Sequence, residues 1–175
     1  EKQGYQTEDK IDHLSFVENE FSIIYQNENR FIKVLYGPYC HNFLEENHAD
    51  KTVSINSYHC SPDFILEVYD KKEKSFLYEF VVEMKYIPYD KLLRDAAFEK
   101  DISQTAADYL QLGFLSKQHG LQLGAVKKVF VLFPSLSDQI LDLNGFGYLY
   151  LLGMDVEKEI EESQVFLFFE KMLKQ

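Results

Sequence analysis

Residues 62–86, PDFILEVYDKKEKSFLYEFVVEMKY, contain two apolar runs joined by the polar stretch KKEKS. Runs of this length, rich in Val, Ile, Phe and Tyr, read as strands, and the lysine-rich stretch between them as their turn. No other feature constrains the chain as much, because it puts acids among strand residues. Side chains on a strand alternate faces. Asp63, Ile65, Glu67 and Tyr69 share one face of the first strand, and Leu77, Glu79, Val81, Glu83 and Lys85 share one face of the second. The opposite face of the second strand carries Phe76, Tyr78, Phe80, Val82, Met84 and Tyr86 and is expected to be the buried one. The acidic face is then expected to look into a cleft.

A turn centred on Glu73 sets the register. Tyr69 falls opposite Leu77, Glu67 opposite Glu79, Ile65 opposite Val81, and Asp63 opposite Glu83. Directly opposed residues have Cβ atoms about 4.5–5.5 Å apart, and like charges there destabilise a sheet. A divalent cation relieves two carboxylates at that spacing. Mg²⁺ is a hard ion that takes one or two carboxylates together with water and phosphate oxygens. Lys85 projects to the same side as Glu83, where an ammonium can orient a water or stabilise charge on a phosphate. The assembly suits metal-dependent phosphodiester hydrolysis. The plain alternative is a solvated Glu83–Lys85 surface pair, which contributes little.

Length and composition set the outer bounds. The 175 residues suffice for one domain with a core, and 46% hydrophobic content with 15 Phe and 12 Tyr excludes disorder. No apolar stretch is as long as a membrane span, and EKQGYQTEDK at the N-terminus has no signal-peptide core. The first residue is Glu1 and not Met, so the chain reads as a trimmed form or a piece of a longer protein, with an upstream domain or partner subunit expected. Two cysteines, Cys40 and Cys60, argue against a disulfide framework and fit a cytoplasmic location. The net charge of −11 runs against nucleic-acid binding unless metal ions or a partner supply positive charge.

The rest of the chain reads as α/β. Residues 8–36 are expected to be one long helix or two consecutive ones, capped by Thr7 and stopped by Gly37-Pro38. Ile11, Leu14, Val17, Phe21, Ile24, Phe31, Ile32 and Leu35 form its apolar stripe, with Glu28 near the centre. Residues 38–52 read as a loop or irregular helix, TVSINSYHC as a strand or its lead-in, and IPYDKLLRDAAF as a crossover without clear character. A helix is expected over residues 99–120, a buried strand in VKKVFVLFPS, another in GYLYLLGMD, and a terminal helix from Val156. Without repeats or composition breaks, residues 1–175 are expected to form a single domain.

Ser61-Pro62-Asp63 followed by Glu83-Met84-Lys85-Tyr86 resembles the PD-(D/E)XK nuclease superfamily, more closely its McrC-like restriction-associated domains and their uncharacterised relatives. Asp101 to Gln104 in DISQTAADY and the VFVLFP strand ending at Pro134 extend the likeness over about residues 59–135. The resemblance implies a restriction-endonuclease-like mixed central sheet flanked by helices. It also implies a Mg²⁺-dependent DNA endonuclease, with Mn²⁺ able to substitute. Asp63, Glu83 and Lys85 are its catalytic residues, Asp63 and Glu83 hold the metal, and Glu28 joins the metal shell as the first-helix glutamate of such folds. One departure concerns the helix after the motif, where relatives place Gln and Tyr four apart. Here Gln104 is followed by Asp108 at that spacing and Tyr109 one position later, which makes Tyr109 a core residue. The runner-up reading is a catalytically silent nuclease fold serving as an interaction or scaffold module.

Other constellations carry less. Cys40-His41 and His59-Cys60 hint at zinc, yet neighbours on a strand point to opposite faces, so each pair offers one ligand. NGFGYL lacks a third glycine and reads as a turn, and there is no P-loop. The apolar run Val165 to Phe169 exceeds what one helix face needs. It reads first as core and second as a contact with an upstream domain or a homodimer partner.

Overall fold

The computed structural model describes residues 6–7, 21–26, 29–42, 44, 50–55, 60–92, 94, 96–143 and 145–173. The chain is α/β and forms two compact units, Glu1–Val82 with Asp108–Lys127 and Glu83–Ala107 with Lys128–Gln175. In chain order the first unit contains β1 (Gln6–Thr7), β2 (Phe21–Gln26), β3 (Arg30–Tyr36), β4 (Lys51–Ser54), β5 (Phe64–Asp70) and β6 (Phe76–Met84), the last running on past the unit boundary. After the chain returns come β7 (Leu112–Ser116) and β8 (Gly120–Gln122). Strands β1, β2, β3, β5 and β6 lie side by side in that order, each antiparallel to the next. Strands β4, β7 and β8 make a separate three-stranded antiparallel sheet.

The expected helix over residues 8–36 is overturned where the structure describes it. Residues 21–26 and 30–36 are an antiparallel strand pair, with Phe21 opposite Tyr36 and Gln26 opposite Phe31. The segments FSIIYQ and RFIKVLY are short and rich in β-branched and aromatic residues, and Asn27-Glu28-Asn29 separates them with turn-forming chemistry. The helical stripe was misleading because Ile32 and Leu35, three apart, are the two buried residues of β3. A three-residue spacing mimics a helix face when a strand is covered unevenly on both sides.

The β5–β6 hairpin forms as its sequence dictates, with Phe64 opposite Val82, Ile65 opposite Val81 and Glu67 opposite Glu79. Near the turn the register departs from expectation: Tyr69 faces Phe76 and not Leu77. A bulge absorbs Leu77, which is exposed, and turns Phe76 onto the side of Tyr69. There Phe76 stacks on Phe114 of β7 with ring centroids 3.8 Å apart. The three-stranded sheet therefore covers the face that carries Glu67, Glu79 and Tyr69. That face was expected to be open, yet Ile65, Glu67, Glu79 and Val81 are all fully buried. Of the face expected to be buried, Phe80 and Val82 are indeed buried, whereas Met84 and Tyr86 are exposed.

The second unit contains the helices α1 (Tyr89–Leu92) and all but the end of α2 (Ala96–Tyr109), then most of β9 (Val126–Ser135), β10 (Gln139–Asp142), β11 (Leu149–Asp155) and α3 (Gln164–Leu173). Its sheet is mixed, with β11 parallel to β9 and antiparallel to β10. Gly153 sits where these strands crowd: a Cβ there would lie 3.1 Å from Ser135 Cβ and 3.2 Å from Gln139 Cβ. The core holds Phe130, Leu151, Leu152 and Val165, and Phe169 of α3 meets the Phe130 ring edge-on at 4.9 Å. Two expected helices are shorter than the sequence suggested. α2 stops at Tyr109, and residues 112–116 become β7 because Leu112 and Phe114 are claimed by the small sheet. A 3-10 turn at Ile160–Glu162 precedes α3. Among the described residues, no helix is long and apolar enough to cross a membrane.

Candidate functional site

Asp63 sits immediately before β5, after the buried Pro62. Its backbone is fixed: the Gly37 N–H donates to the Asp63 carbonyl at 2.8 Å, and Ser61 Oγ donates to the Pro38 carbonyl at 3.2 Å. The Asp63 side chain is partly exposed. Its neighbour Phe64 and Val82 form the outermost pair of the β5–β6 register.

Glu83 is the first residue of the second unit and lies near the end of β6, with Lys85 just past it. The period of two puts both side chains on one side of the strand. Lys85 Nζ donates to Glu83 Oε1 at 2.9 Å, with the two side chains only 26% and 14% exposed. Such shelter makes the pair stronger than a fully solvated one, since water screens it less. The Lys85 N–H donates to the Leu132 carbonyl at 2.8 Å, which anchors the ammonium's backbone to β9. Glu-x-Lys is thus a preformed unit with a fixed base.

Glu28 lies outside the described residues, and the strands that flank it replace the helix that was to carry it. Of the other motif residues, Gln104 is exposed and Tyr109 is buried, which fits a core role for the tyrosine. Among the described residues, no group of three or more His, Cys, Asp or Glu is arranged to hold a metal ion. Two lysines on β9 are engaged with backbone: Lys127 Nζ donates to the Gly124 carbonyl and Lys128 Nζ to the Gly147 carbonyl.

A second acid pair lies deeper in the hairpin. Lys33, Glu67 and Glu79 occupy directly paired positions on β3, β5 and β6. Thr52 of β4 reaches down onto both acids, its Oγ1 lying 2.6 Å from Glu79 Oε2 and 3.3 Å from Glu67 Oε1. Tyr69 donates its hydroxyl to Glu67 Oε2 at 2.7 Å, and Lys33 Nζ approaches the same oxygen at 3.8 Å. Glu79 Oε1 is buried and has no hydrogen-bond partner.

Proton counting settles the arrangement. Thr52 has a single hydroxyl hydrogen and cannot donate to two carboxylates at once. Both contacts become hydrogen bonds when Glu79 carries a proton on Oε2 and donates it to Thr52, which in turn donates to Glu67. Burial pushes the Glu79 carboxyl up to about 8; a Thr52 hydroxyl donating to the ionised form opposes this, and the negative Glu67 adds to it. With Glu79 neutral, the Lys33 ammonium and the Tyr69 hydroxyl both approach the other acid, Glu67. A neutral acid also lowers the cost of the unpartnered Oε1, since a bare carbonyl oxygen is cheaper to bury than half of a carboxylate. Burial and then the adjacent Glu67 charge drive the Tyr69 phenol upward, so it remains a donor.

Sequence spacing alone paired Glu67 with Glu79 and Asp63 with Glu83 without distinguishing them. Thr52, 15 residues before Glu67, gave no signal, because its role exists only once the small sheet is laid over the hairpin. The pairing of Cys40 with Cys60, antiparallel partners in the segments after β3 and before β5, was also invisible to local pattern. No protein-family model, curated protein or solved structure matches this chain.

Proposed function

We propose that the chain is a Mg²⁺-dependent nuclease domain of restriction-endonuclease-like fold that hydrolyses DNA phosphodiesters in the cytoplasm. Asp63 and Glu83 hold the metal, with Mn²⁺ able to replace Mg²⁺, and Lys85 acts on the attacking water. The reading rests on one observation above the rest. Phe64, which follows Asp63, pairs with Val82, which precedes Glu83, in the register that counting along the sequence requires. The donor set is chemically suited to the ion: two hard carboxylates leave sites for water and phosphate oxygen, the mixture Mg²⁺ prefers. When bound, the ion polarises a phosphoryl oxygen and makes its water more acidic. Lys85, held 2.9 Å from Glu83, orients the water and balances negative charge at the phosphate. Glu28 remains a candidate for the metal shell through the resemblance alone.

The test has two arms. Calorimetric titration with Mg²⁺ or Mn²⁺ should show binding to the wild type and its loss in Asp63→Ala. Nicking of supercoiled plasmid should fall at least about a hundredfold in Lys85→Ala while far-ultraviolet circular dichroism is unchanged. Wild-type protein that neither binds metal nor nicks DNA overturns the reading. It would favour the silent scaffold module, to which the net charge of −11 already lends support.

A further inference from the structure

We propose that Cys40 and Cys60 are a reactive dithiol that closes to an intramolecular disulfide by exchange with a low-molecular-weight disulfide. The register carries the argument. Tyr36 of β3 pairs with Phe64 of β5, the Gly37 N–H donates to Asp63, and the same antiparallel stepping brings Cys40 opposite Cys60. The Cys40 N–H donates to the Cys60 carbonyl at 2.9 Å, so the two backbones are held at pairing distance. Directly opposed residues have Cα atoms about 4.5–5.5 Å apart, inside the span a disulfide bridges. Neither cysteine is in a disulfide; Cys40 is buried and Cys60 partly exposed.

The unequal exposure assigns the roles. Cys60 is the thiol that meets an external disulfide. A hydrogen bond from Cys40 holds it below the usual thiol range, against burial and the Asp108 charge, which push it upward. The Cys60 thiolate attacks one sulfur of the reagent, breaks its S–S bond and releases one thiolate, leaving a mixed disulfide. Cys40 loses its proton to solvent and attacks the Cys60 sulfur, which expels the second reagent thiol. Two protein thiols are oxidised and one reagent disulfide is reduced to two thiols.

The bond clasps a junction. The segment after β3 pairs with Cys60 through Cys40 and also reaches β4, where the Ser54 N–H donates to the His41 carbonyl at 2.8 Å. Thr52, which bridges the buried acids, belongs to that same strand. Oxidation therefore ties down the approach to Asp63 and the strand that covers Glu67 and Glu79.

Intact protein is incubated in glutathione buffers from fully reduced to fully oxidised, acid-quenched, alkylated and weighed. Both thiols should disappear together, with a mass lower by two hydrogens and no lasting glutathione adduct. In Cys40→Ser, which keeps the entering thiol and lacks the resolving one, a stable adduct should collect on Cys60. Wild type that stops at a single adduct, or that keeps two free thiols in the most oxidising buffer, overturns the proposal. The wild-type readout needs no variant, so a folding defect in Cys40→Ser does not blur the outcome.

Discussion

At the scale of the residue, the deciding event is where one proton resides. Glu79 titrates higher in the folded chain than a free carboxyl, so the folded state binds more protons than the unfolded one between the ordinary carboxylate range and about pH 8. Stability from the neutral acid is complete at low pH and declines as pH rises through that interval. Urea or thermal melts from about pH 5 to about pH 8 should show the wild type losing about 3 kcal/mol relative to Glu79→Gln, whose amide stays neutral. Parallel pH profiles for the two proteins would contradict a protonated Glu79. Thr52→Val keeps the shape and removes the hydroxyl between two buried acids. It should cost about 1–3 kcal/mol in the same melts, because neither carboxyl regains water.

Among the elements, α3 depends on a residue outside it. Asp138, between β9 and β10, accepts the Gln164 N–H at 2.7 Å on one oxygen, and the Asp155 N–H at 3.0 Å and Ser163 Oγ at 3.2 Å on the other. Lys158 approaches at 3.5 Å. Burial alone would raise this carboxyl, but the two backbone N–H donors, Lys158 and Ser163 outweigh it and hold it below the usual range. It satisfies the first N–H of a helix that has no acidic residue in its own first turn. Asp138→Ala should lower stability by about 1–3 kcal/mol and speed hydrogen exchange at the Gln164 and Asp155 amides ahead of the rest of β11. Unchanged exchange at those amides would show that α3 is held by its apolar face alone. The β6 bulge is the other device at this scale, since it gives Phe114 a ring to stack on.

For the whole molecule, charge sets the conditions under which the proposed chemistry operates. A chain of net charge −11 repels a phosphate backbone, and Lys127 and Lys128 are engaged with backbone carbonyls. DNA retention in a mobility-shift assay is therefore expected to drop at least about tenfold when EDTA removes the divalent ion. Binding that ignores EDTA would point to a cationic surface supplied in some other way.

The hairpin was legible in the sequence because its information is local. Alternation along PDFILEV and FLYEFVVEMKY fixes which side chains share a face, and a short polar turn fixes the register, so the Glu67–Glu79 and Phe64–Val82 pairings follow from counting. Residues 21–36 were not legible. Their apolar positions satisfy a helical and a two-sided strand pattern alike, and the partner that decides for strand, β5, lies some 30 residues on. Which face of the hairpin is covered, and hence that an acid pair is buried under Thr52 and Phe114, depends on segments remote in the chain. Periodicity orders neighbours along a strand, whereas burial is set by whatever packs over them, and only the tertiary structure brings that cover into place.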